Sequence, residues 1–200
     1  MEDFALFAEP WWVNLFIFIP LAAFYIWRRN GLAISVGTLV VCASFGAAFG
    51  FVEAAVVVYL RAAVGLLPGH GGSLADVARL SSEMYQKSQI HGDLPEGLVT
   101  VEMFREAATM VMLLSIAFLG ATFWRERSAI FLWSFAIWDI CYYLGLYLTV
   151  GWPPSWFTAD VLFLIPVPWL AQVWFPILVS ALTMLAIVLV IKPIGWRLVK

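Results

Sequence analysis

Four acidic residues, Glu53, Glu102, Glu106 and Asp139, stand inside stretches of this chain that are otherwise apolar enough to cross a lipid bilayer. A carboxylate in hydrocarbon is costly unless it is paired, protonated or wetted, so an acid in such a place marks function more often than packing. The sharpest pattern is Glu102-Met-Phe-Arg105-Glu106. On a helix, residues three and four apart share a face, which stacks Glu102 on Glu106 and sets Arg105 beside Glu102. Glu53 follows Gly50 by three residues. Gly46 and Gly50 form a G-x-x-x-G pair that lets a second helix approach closely, so Glu53 falls on the packed face.

Three kinds of chemistry suit these residue types at this spacing. Arg61 and Arg105 can neutralise the acids in an ion-pair network that fixes helix register. Alternatively, Glu53 and the E-x-x-x-E pair can offer oxygens to a hard or borderline cation, which makes Glu53, Glu102 and Glu106 the candidate metal ligands. An acid of raised pKa can also move protons. Arginine competes with a metal for the same oxygens, and the two histidines, His70 and His91, both fall outside the apolar runs. Further along, Asp139 is followed at three and four residues by Tyr142 and Tyr143; either their hydroxyls hydrogen-bond its carboxyl group or the carboxyl group is protonated. Asp160 sits in a shorter apolar run, where turn capping is the ordinary role.

Helices must position these groups. The apolar runs predict five transmembrane helices at about 11–27, 31–60, 99–124, 129–150 and 170–191. Tryptophans at 11, 12 and 27 suit the two interfaces. The connection 66–98 opens with Pro68-Gly69-His70-Gly71-Gly72, and Ser73 is a candidate N-cap for a surface helix with Leu74, Val77, Leu80 and Met84 on one stripe. Residues 158–169 are apolar but too short to span and contain two prolines, so a re-entrant or interfacial element is expected. The expected fold class is all-α: an integral membrane bundle of five helices, one domain over 1–200, with an outer surface helix and a re-entrant segment.

Composition agrees, since 64% of residues are hydrophobic and only 12% charged. Together with a mean hydropathy of +0.94, this excludes a soluble domain and a disordered chain. Nucleic-acid binding has no support. Met1-Glu2-Asp3 is acidic where a secretory signal is basic, so the first apolar run is expected to remain as a helix. Cys42 and Cys141 lie within apolar runs and read as small hydrophobes. Arg28, Arg29, Arg125, Arg127, Lys192, Arg197 and Lys200 fall on one side of the bundle, against Arg61, Arg79, Lys87 and Arg105 on the other. The excess of basic residues marks the cytoplasmic face. The expected placement is a bacterial inner membrane with the N-terminus periplasmic and the C-terminus cytoplasmic.

The strings FVEAAVVVYLR (51–61), EMFREAAT (102–109), FAIWDICYY (135–143) and GWPPSWFTADVLFLIPVPW (151–169) resemble an uncharacterised family of small bacterial polytopic membrane proteins. The resemblance covers roughly 40–180 and implies that Glu53, Glu102, Arg105, Glu106, Asp139 and Asp160 belong to a recurring pattern; it carries no activity. EMFRE also resembles, superficially, the acid-arginine element of intramembrane prenyl-protein peptidases, but no membrane histidine accompanies it, and haem or a zinc-protease site has no ligands here. The expected function is a carboxylate and arginine site in the periplasmic half of the bundle, binding a divalent or other cation, or a small polar or lipid head group. The residues are Glu53, Arg61, Glu102, Arg105, Glu106, Asp139, Tyr143 and Asp160. A different class fits the composition equally well: an accessory structural subunit of a larger membrane complex. The lipid bilayer is the expected partner, with other subunits or further copies of the chain beside it.

Overall fold

A computed structural model describes residues 7–63 and 96–192, the side chains of 60–63 and 96–99 aside. The first described helix is 3-10 over Trp11–Phe18 and widens into α1, Ile19–Trp27, where Pro20 occupies the first α-helical turn. Helix α2, Val36–Ala63, is started by Ser35, whose Oγ accepts the Thr38 amide at 2.9 Å. Helix α3 spans Glu96–Gly120 and α4 Trp124–Val150. Gly151 ends α4 in the left-handed conformation, φ +67°, with its amide bonded to the Tyr147 carbonyl. Strands β1, Ala159–Phe163, and β2, Trp169–Gln172, form an antiparallel hairpin, and α5, Trp174–Val190, completes the fold.

Among the described residues, three helices are long and apolar enough to cross a membrane: Val36–Tyr59, Thr100–Gly120 and Trp124–Val150. Helices Trp11–Trp27 and Trp174–Val190 are apolar but shorter. The most extensive packing joins α2 to α4, and its cause is small residues. A Cβ at Gly46 would lie 2.8 Å from the Ser134 carbonyl oxygen, and one at Gly50 would lie 2.5 Å from that of Trp138. The two backbones therefore touch where the G-x-x-x-G pair predicted close approach. Two backbone bridges then tie the first helix to the last, Glu9 to Leu170 at the hairpin end and Leu32 to Ile191 at the other.

Three features differ from the sequence reading. The 158–169 segment opens a β-hairpin whose second strand takes residues 170–172 from the expected fifth helix, which starts only at Trp174. Its start is set by Pro176, which is tolerated in a first turn but not deeper, and by the hairpin, whose Trp156 and Thr158 carbonyls accept the Trp174 and Val173 amides. Arg125-Glu126-Arg127 does not end α3 but lies in the first turn of α4, because Arg125 binds Glu126 and lets the acid be buried. The second helix begins at Val36 rather than near 31, since Gly31 sits at φ +66° and Leu32 is drawn into the bridge to α5. The expected surface helix within 66–98, with His70 and His91, lies outside the described residues, as does the Arg61 side chain.

Candidate acid-arginine site

Glu53, Glu102, Glu106 and Asp139 are buried in the half of the bundle nearer the hairpin or at its middle, and Asp160 is half-buried in the hairpin itself. Arg105 is the hub. Its Nε donates to Glu102 Oε2 at 2.9 Å and its Nη2 to Glu102 Oε1, a two-pronged contact within one turn of α3. The Nη1 pairs with Glu53 Oε2 across to α2. The other Glu53 oxygen accepts Thr109 Oγ1 at 2.8 Å, and the same hydroxyl reaches the Arg105 carbonyl at 3.0 Å. One guanidinium thus joins two carboxylates from two helices, with its own side chain only 22% exposed.

Glu106 does not share this pair. It turns to the hairpin, where both its oxygens accept the Leu164 amide, at 3.0 and 2.9 Å. Phe163 stacks over Phe135, ring centroids 6.4 Å apart, which carries the hairpin tip down to the middle of α4. A hairpin inserted so deep has amides with no water to bind, and Glu106 supplies the acceptor that the backbone lacks.

The remaining residues divide otherwise than expected. Tyr143 donates its hydroxyl to Asp160 Oδ2 at 2.9 Å and not to Asp139. Asp139 instead accepts Ser180 Oγ of α5 at 2.8 Å. A tyrosine hydroxyl stands a whole ring away from its helix axis and so bridges to the next layer, while the short aspartate is met by a short hydroxyl. Asp160 is therefore a second anchor of the hairpin, on α4, as Glu106 is on α3. Among the described residues no three metal-ligating side chains gather about one point.

Thr109, Ser180 and Glu126 were not singled out by the sequence reading. Thr109 had a signal, being four residues after Arg105 and three after Glu106 on the same face. Ser180 had none. Glu126, at the opposite end of the bundle, receives Arg125 Nη2 at 2.7 Å and lies against the Ala33 amide at 3.5 Å.

The fold is helical, with three helices long and apolar enough to cross a membrane and a buried polar centre, and it fits a membrane protein. Compared with protein-family models, curated proteins and solved structures, the chain matches none.

Proposed function

We propose that the chain is a five-crossing protein of a bacterial inner membrane, N-terminus periplasmic and C-terminus cytoplasmic. In this reading its acid-rich centre binds a cation, or the cationic part of a small polar or lipid head group. The observation that carries it is charge balance: among the described residues, Arg105 is the one guanidinium paired with Glu53 and Glu102, while Glu106, one turn along α3, accepts a backbone amide and Asp139 accepts the Ser180 hydroxyl. Unbalanced carboxylates in a low-dielectric interior are costly, and a bound cation restores the balance. The periplasmic assignment rests on the basic residues at the other end.

One observation favours the rival, an accessory structural subunit. Glu106 spends both oxygens on a backbone amide, which is the work of a scaffold. Thermal unfolding of the purified chain in detergent separates the two. Sodium, magnesium, calcium, zinc and ethanolamine are added singly, and a chelator in a further arm. At a hundredfold excess over its dissociation constant, a bound cation should stabilise by ~2.7 kcal/mol, and Glu102→Gln should weaken that response. A wild type indifferent to every addition and to chelation rejects the binding centre and leaves the scaffold.

A further inference from the structure

The end of the bundle away from the hairpin carries a different charge pattern. Arg28 and Arg29 close α1, Arg127 lies in the first turn of α4, and Lys192 follows α5. Backbone contacts assemble these cations into one surface. The Leu32–Ile191 bridge brings Lys192 to the 28–35 segment, where its side chain lies over Gly31, and the Ala33 amide meets Glu126 on α4. Glu126, the acid of that end among the described residues, is already bound by Arg125. None of Arg28, Arg29, Arg127 and Lys192 has an acidic partner among the described residues.

Aromatic rings support the same cations. The Arg28 guanidinium lies 4.5 Å from the centre of Tyr25, and that of Arg127 lies 4.3 Å from Phe118 and 5.7 Å from Trp124. Tyr25, Phe123 and Trp124 are exposed, as rings at a membrane interface are. Guanidinium groups standing at that level, over rings and without an acidic partner among the described residues, suit the phosphodiester layer of a bilayer.

We propose that this basic end is a seat for anionic phospholipid, its phosphate held by Arg28, Arg29, Arg127 and Lys192 and its acyl chains lying along the exposed apolar face of α1, where Leu21, Phe24, Tyr25 and Ile26 stand. The adjoining groove between the start of α2 and the α3–α4 turn has Glu126 on its wall. The phosphate therefore belongs on the arginine rim, outside the groove.

The test titrates the full-length chain in detergent with phosphatidylglycerol, with phosphatidylcholine and with inorganic phosphate, reading the unfolding midpoint. Phosphatidylglycerol should raise it where the other two do not. The variant R28Q/R29Q/K192Q should need roughly fivefold more phosphatidylglycerol per charge removed. If that variant does not fold, Arg29→Gln alone should show a single such step, since the Arg29 side chain has no bond among the described residues. Equal stabilisation by the two lipids, an unchanged titration in the variants, or the same shift with inorganic phosphate overturns the proposal.

Discussion

Arg105 decides the charge balance of the buried centre, because Glu53 and Glu102 both depend on it. Arg105→Gln strands two carboxylates, and breaking a buried pair by removing one partner costs about 3–5 kcal/mol. Denaturant unfolding in detergent should show a loss of this size. Adding Glu102→Gln to the same background removes one stranded charge and should recover part of the loss, the coupling expected of residues in direct contact. A double variant no more stable than Arg105→Gln would mean that the contact contributes nothing. At this scale the acids were legible in the sequence, since a charge in an apolar run stands out. The hydroxyls that serve them were not. Thr109 and Ser180 cost little in a helix, because such a hydroxyl can bond a carbonyl one turn back, as Thr109 does with Arg105. The partners that Tyr143 and Asp139 find, Asp160 and Ser180, were not legible for a related reason: spacing along one helix says nothing of the hairpin and α5 that pack against it.

The hairpin is the element that sequence placed but could not shape. Two prolines, Pro166 and Pro168, ruled out a regular helix over 158–169, and the apolar run was too short to span, so a non-helical segment, re-entrant or interfacial, was the expectation. Strand could not be told from irregular chain, because short apolar runs look alike whatever their backbone. The three long helices were legible from hydropathy, with ends displaced where Gly31 and the Arg125–Glu126 pair intervene. One of the two side-chain anchors of the hairpin is the Glu106 carboxylate on the Leu164 amide, the other being Asp160 on Tyr143. Glu106→Leu removes that acceptor and leaves an unsatisfied amide, whereas Glu106→Gln keeps a carbonyl oxygen in the same position. Amide exchange across 159–172 should therefore quicken roughly tenfold or more in the leucine variant and change little in the glutamine variant. Equal protection in all three proteins would show that the Glu106 contact does not hold the hairpin, leaving it to the Asp160–Tyr143 bond, the Glu9–Leu170 bridge and the aromatic contacts.

At the scale of the whole molecule, the undecided quantity is how many helices cross. The long helices α2, α3 and α4 put the Arg29 end and the Ser155 end on opposite sides of a membrane whether or not the two short helices cross with them. Those two positions cannot count the crossings. The outer segments can. If only three helices cross, residue 7 stays on the Arg29 side and Lys192 on the Ser155 side. If Trp11–Trp27 and Trp174–Val190 also cross, both positions are exchanged. The second arrangement is the one the backbone bridges favour, since Glu9 pairs with Leu170 beside the hairpin and Leu32 pairs with Ile191 at the basic end. Each short helix has 17 residues from first to last, and about 17 residues is the lower limit for a bilayer core of roughly 30 Å. Single cysteines at Phe7, Arg29, Ser155 and Lys192, in a background lacking Cys42 and Cys141, give the count by labelling with a membrane-impermeant maleimide in intact and opened cells. Phe7→Cys and Ser155→Cys should react together from outside, and Arg29→Cys and Lys192→Cys only after opening. Reaction of Lys192→Cys alongside Ser155→Cys, with Phe7→Cys protected, would reduce the protein to three crossings and leave α1 and α5 lying at its edges.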